Sequence, residues 1–277
     1  MIDALLNFDF IRYSLISGLL IGFIAPLIGA FIVVRRLSLI ADALSHVTLG
    51  GISFGMFLLT IIPVFSVINP MWFGILFAVI GALLIEKLRT SFSNYQEIAI
   101  PIIMSAGIAL SAIFISLADG FNQEIVGLLF GSISAVNISD LTTIIIITII
   151  VLIFIVLFYK ELFILSFDEE YSKVIGIPKW IQFLFIVIVA MVISASMRVV
   201  GILLVSALIT LPIAISMRIT KGFKQLIALS IILGELSVIL GLIIAFYMNI
   251  SPGGVIVVLL VVMLILTMTI QLSLIHI

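Results

Sequence analysis

Apolar runs about twenty residues long recur from one end of this chain to the other, and that recurrence decides its class. They occupy 11–34, 38–62, 71–86, 97–117, 140–159, 180–197, 199–217, 225–248 and 254–271. A helix rises about 1.5 Å per residue, so roughly 20 apolar residues cross a hydrocarbon core about 30 Å thick. Lipid offers no partner to backbone polar groups, and a helix satisfies them internally. The expected fold is all-α, a polytopic transmembrane helix bundle of eight to nine spans. The choice between eight and nine turns on 180–217, which is interrupted only around Ser196-Met197-Arg198. A shorter apolar stretch, 124–136, contains Gly-Leu-Leu-Phe-Gly and is too short to cross; it reads as re-entrant or interfacial. Hydrophobic residues make up 65% of the chain and charged ones 9%. Soluble domains carry about 25% charge, so a water-soluble enzyme and a nucleic-acid binder are both excluded. With a net charge of −1 there is no polybasic patch, and without cysteine there is neither a disulfide nor a thiolate metal site.

Basic residues give the orientation. Arg35/Arg36, Lys87/Arg89, Lys160/Lys173/Lys179 and Arg218/Lys221/Lys224 fall in alternate loops, which the positive-inside rule assigns to the cytoplasm. The N-terminus is then outside. Trp72 and Trp180 stand at span ends, where interfacial tryptophan is expected. Residues 1–271 read as a single transmembrane domain. The last six, 272–277, match the translation of a sequencing adapter and read as an artificial tail, so His276 carries no functional weight.

Charge inside a bilayer costs roughly 2.5–3.5 kcal/mol per group on insertion scales, so ionisable residues within spans are candidates for function. Asp42 and Glu235 are the clear cases, and His46 also lies within a span. Asp42 and His46 are four apart and share one helical face, with Ser45 beside them. Carboxylate plus imidazole suits a divalent transition metal. Two readings stand at this point. Asp42, His46 and Glu235 meet as a metal site near the membrane centre; or Asp42 pairs with Arg35 or Arg36, the histidine bonds a neighbouring helix, and Glu235 is a protonated interhelical group. The polar stretch Ser166–Lys179 begins with Asp168-Glu169-Glu170, suited to a helix N-terminus, and Gly176 with Pro178 would end that helix. It is either a solvated connection or a docking element. Pro26, Pro101 and Pro212 fall within spans as bending positions, and Gly18, Gly22, Gly29, Gly50 and Gly51 read as close-packing positions. No phosphate loop G-x-x-x-x-G-K-[ST] and no H-E-x-x-H occurs, so ATP hydrolysis by that route and an intramembrane metalloprotease are not expected.

Five stretches, in order, carry a resemblance: IGAFIVVRRLSLIADALSHVTLGG (Ile28–Gly51), GLLFGSISAV (Gly127–Val136), FDEEYSKVIGIP (Phe167–Pro178), VGILLVSALITLPIAISMRIT (Val200–Thr220) and SPGGVIVVL (Ser251–Leu259). With them the chain resembles the membrane permease subunit of bacterial ABC importers for zinc and manganese. The resemblance implies a multi-pass protein of the bacterial plasma membrane that is not itself an enzyme. It also implies a homodimer, two separate ATP-binding subunits on the cytoplasmic face and an extracellular solute-binding protein. The metal would be transported substrate, with no permanently bound cofactor. Asp42 and His46 match the family's D-x-x-x-H pair in the translocation path, and Glu235 falls in its late polar span. Ser45 would line the path, and Ser206 and Thr210 would either line it or serve helix packing. Asp168, Glu169, Glu170, Tyr171 and Gly176 fall in the segment gripped by the ATPase. The resemblance inclines to the zinc branch, with manganese or iron as alternative. An ion-coupled secondary transporter, with Asp42 and Glu235 carrying protons, is the competing class.

Overall fold

The computed structural model describes residues 7–62, 69–92, 95–118, 123–133 and 135–275; His276 and Ile277, part of the adapter-like tail, lie outside them. Its helices are α1 (Asp9–Val34), α2 (Leu39–Ile61), α3 (Met71–Ser91), α4 (Ala99–Leu117), α5 (Gln123–Phe130) and α6 (Ile138–Leu157). There follow α7 (Tyr159–Phe167), α8 (Glu169–Ile175), α9 (Lys179–Val200), α10 (Ile202–Ile219), α11 (Phe223–Met248) and α12 (Pro252–Ile275). Among the described residues no strand occurs, and nine helices are long and apolar enough to cross a membrane. Nine is the upper of the two expected numbers. The break that decides it lies at Gly201, just beyond the polar Ser196–Arg198 patch. At φ +92° Gly201 takes a backbone conformation that a side chain disfavours, and α9 turns there directly into α10. The eight-residue α5 is too short to span, as expected of its segment.

α1 and α9 are the most enclosed spans. α1 packs on α6, α9, α10 and α11, whereas α2 packs chiefly on α3 and α4; α9 touches both groups and joins them. Small residues permit these approaches, since van der Waals contact, rather than hydrophobicity, drives helices together in lipid. A Cβ on Gly29 would strike the Ile209 carbonyl, and one on Gly234 would lie 2.6 Å from the Gly22 carbonyl oxygen and from the Pro26 ring. Pro26 and Pro212 are inside helices, but Pro101 falls in the first turn of α4, where a missing N–H costs no helical hydrogen bond.

The two ends of the bundle are built differently. At one end, the end of Arg198, the glycines of three segments meet backbone to backbone. Cβ atoms on Gly131 and Gly253 would collide with the carbonyls of Val199 and Val200, and one on Gly201 would lie 2.5 Å from the Gly131 nitrogen. Beside them Asp140 is buried and accepts from Arg198 at 3.2 Å. The same carboxylate closes a capping box at the start of α6: Asn137 N–H donates to Asp140 at 3.1 Å, and Asp140 N–H donates to the Asn137 side chain at 2.9 Å. At the other end lie the four basic loops read from the sequence, and there charged side chains do the joining.

Candidate functional site

Asp42 and His46 lie one turn apart on α2, both half-buried. Neither side chain makes a hydrogen bond or ion pair among the described residues, so the reading in which Asp42 pairs with Arg35 or Arg36 is not what the structure shows. Arg35 turns instead toward Glu169. α2 is held at this turn by α4. Ser111 Oγ donates to the His46 carbonyl at 3.1 Å and to the Gly107 carbonyl at 2.7 Å. A Cβ on Gly107 would sit 2.7 Å from the Val47 nitrogen. Gly107 and Ser111 thus fix the register of the His46 backbone. They were not singled out in the sequence, although their small-x-x-x-small spacing is the signal for such a contact.

Ser45 is buried and its hydroxyl donates to the Ala41 carbonyl at 2.8 Å, so it stands apart from the half-exposed face of Asp42 and His46. Ser206 and Thr210 are half-buried on α10, in an incompletely covered stripe that also contains Leu203, Ala207 and Ala214. Thr210 Oγ1 donates to the Ser206 carbonyl at 2.8 Å. Glu235 is half-buried on α11, next to the Gly22–Gly234 crossing, and makes no hydrogen bond or ion pair among the described residues. α2 and α11 do not touch; α10 lies between them and packs on both. Counted from the helix starts, His46 is about 10 Å and Glu235 about 18 Å along. Among the described residues no three His, Asp or Glu side chains converge as a metal cluster within one chain. The structure therefore brings Asp42 and His46 together and leaves Glu235 apart from them.

The Ser166–Lys179 stretch folds as α8 with the ends its sequence suggested. Asp168 caps it, accepting from the Tyr171 N–H at 2.8 Å. Gly176, at φ +83°, closes it in a left-handed C-cap, with Ile177 N–H donating to the Ser172 carbonyl at 3.0 Å. Glu169 faces inward, 4.0 Å from Arg35 at the end of α1, 3.9 Å from Arg89 of α3 and 3.6 Å from Lys173. Arg89 is also held by Glu86 at 3.3 Å and Gln96 at 3.1 Å, and Gln182 of α9 donates to Glu86 at 2.6 Å. Burial pushes the Arg35 guanidinium pKa down, and Glu169 opposes that shift. Two of the three acidic residues thus have work inside the chain. Outward, α8 shows Glu170 with Tyr171, Val174 (82% exposed) and Ile175, an apolar patch beyond the end of the spans.

A model of the ABC 3 transport family matches residues 7–271. The chain belongs to this family. Among ABC 3 relatives, the manganese transport system membrane protein MntC of Listeria monocytogenes is 30% identical, over 91% of this chain and 88% of its own. The manganese import system permease protein ScaB of Streptococcus parasanguinis is 31% identical, over 92% of this chain and 89% of its own. A solved structure, PsaBC from Streptococcus pneumoniae in complex with Fab, superposes with a TM-score of 0.82 at 30% identity, covering 96% of this chain and 93% of that one. As an ABC 3 protein the chain is the multi-pass membrane permease component of an ABC transporter, and its nine candidate spans carry that role.

Proposed function

We propose that this chain is the permease of an ATP-driven importer of a divalent transition metal, with manganese as the substrate. The observation that carries the reading is the Asp42–His46 pair: a carboxylate and an imidazole one turn apart within a span, braced through Ser111 and without a side-chain partner among the described residues. A hydrated cation entering the path from the Arg198 end would exchange part of its water shell for these two groups. A hard carboxylate suits manganese, while the imidazole suits most first-row metals. Two relatives named for manganese favour it over the zinc reading drawn from the sequence.

Among the described residues one chain supplies only this pair, so a second copy completes the path. The incompletely covered stripe of α10, with Ser206 and Thr210, lies next to α2 and supports that role, and Glu235 would enter the path from the far side of α10. The N-terminus is outside. ATP is hydrolysed by separate subunits seated on Tyr171, Val174 and Ile175 of α8, and a solute-binding protein delivers the metal at the Arg198 end. ATP binding shifts α8, and Glu169 passes the shift to α1 through Arg35 and to α3 through Arg89. α2 begins four residues after Arg35 and its metal-holding turn seven residues after it, which places that turn within reach of the movement.

Reconstitution of the chain with its partner subunits in vesicles tests the reading. Manganese uptake that requires ATP and continues after the proton gradient is collapsed is expected. Uptake that follows the gradient and ignores ATP would instead establish a secondary transporter. Uptake of zinc unaffected by excess manganese would overturn the choice of metal.

A further inference from the structure

α6 and α11 both pack on α1 but do not touch each other, which leaves a groove with α1 as its floor. Two adjoining cavities fill it, and among the described residues they share Tyr159 and Lys224. The outer one, about 550 Å³, is rimmed by Lys221 and Lys224 over the rings of Tyr159, Phe163 and Phe223. The inner one, about 500 Å³, is walled by Leu152, Ile155 and Val156 of α6 and Ile227 of α11, over Phe23 and Leu27. Among the described residues no Asp or Glu lines either cavity. Neither lysine side chain makes an ion pair among the described residues, and the Tyr159 hydroxyl, whose pKa burial raises, is a neutral group able to donate.

The geometry points to this groove as a binding site for one anionic diacyl phospholipid, its phosphate at Lys221, Lys224 and Tyr159 and an acyl chain in the apolar half. Depth and charge select this occupant. Phe23 lies eleven residues before the end of α1, about 16 Å along the helix. That is one leaflet of a core about 30 Å thick. The lining found here runs from two cations at the mouth through the apolar residues of one leaflet, which is the reach of one lipid headgroup and acyl chain. Basic pockets between spans are suited to anionic headgroups, each lysine contributing to the attraction. The inference does not depend on which metal is carried or on how transport is driven.

Native mass spectrometry of the full chain, purified in detergent in its own assembly, stripped of lipid and offered phosphatidylglycerol or phosphatidylcholine, tests it. One phosphatidylglycerol per chain is expected to survive at concentrations where phosphatidylcholine does not. The double variant Lys221→Gln/Lys224→Gln should lower that retention on the order of tenfold, as two lost lysine contacts predict. Val156→Trp, which fills the apolar slot, should lower it while the lysines remain. Equal retention of the two lipids, or retention untouched by both variants, would overturn the site. The chain has no cysteine, so Val156→Cys adds a single reactive position. An efficient disulfide between two copies there would assign the groove to a second copy and also overturn the proposal.

Discussion

The Arg198 end and the Arg35 end of this permease hold together by opposite means. At the first, the backbones of Gly131, Gly201 and Gly253 touch, and the buried Asp140–Arg198 pair is drawn to 3.2 Å. At the second, Glu169 stands between Arg35 and Arg89 at 3.9–4.0 Å, beside a cavity of about 450 Å³ lined by Glu169, Arg89 and Glu86. Backbones in van der Waals contact have one arrangement, because any displacement either collides or opens a void. Charged side chains with space around them can exchange partners at little cost. The comparison teaches that the first end is built to stay in one arrangement, and that the second is where the proposed coupling movement would enter.

Variants can break that contrast, and the largest effect is expected at the glycine knot. Gly201→Val puts a β-branched residue at φ +92° and a Cβ 2.5 Å from the Gly131 nitrogen. Loss of the folded, monodisperse protein on size-exclusion chromatography is expected, since strain and overpacking together exceed about 3 kcal/mol. Arg198→Leu leaves the buried Asp140 carboxylate without its cation and should cost about 3 kcal/mol, read as a fall in melting temperature. The double variant Arg198→Leu/Asp140→Leu should recover most of that loss, since no buried charge is then left alone.

Effects on stability at the other end are smaller, and their consequences are functional. Glu169→Gln removes a carboxylate that is about one-third exposed, so a change of at most about 1 kcal/mol is expected. Transport per ATP hydrolysed should nevertheless fall severalfold, because Arg35 and Arg89 lose their common anion. An unchanged ratio would show that α8 moves the spans by another route. Val174→Glu alters an 82% exposed side chain and should leave stability within about 0.5 kcal/mol. Co-purification of the ATP-binding subunit should be lost all the same.

Much of this was legible in the sequence because lipid imposes a strict length and hydropathy on each span. The caps of α8 were also legible, since Asp168 and Gly176 act through their own neighbours. What could not be read depends on which helices become neighbours. The break between α9 and α10 sits at Gly201, a position made by its contact with Gly131, not at the polar patch that drew the eye. Arg35 follows α1 and precedes Asp42 in sequence, yet it turns to Glu169, which only the folded bundle brings near. Asp42 and His46 share a face by helical period alone, whereas whether Glu235 joins them depends on α10, which the fold inserts between α2 and α11. The acidic run at Asp168–Glu170 looked like an outward grip. Folded, Glu169 turns inward, while Asp168 and Glu170 stay exposed beside the apolar Tyr171, Val174 and Ile175.

The central claim is that Asp42 and His46 hold the transported metal. Its most direct test is manganese uptake into vesicles holding the assembled transporter, with the native chain compared against His46→Ala and Asp42→Asn. Uptake should fall to the level of empty vesicles in both variants, while the complex still co-purifies and hydrolyses ATP. Native uptake by either variant would contradict it.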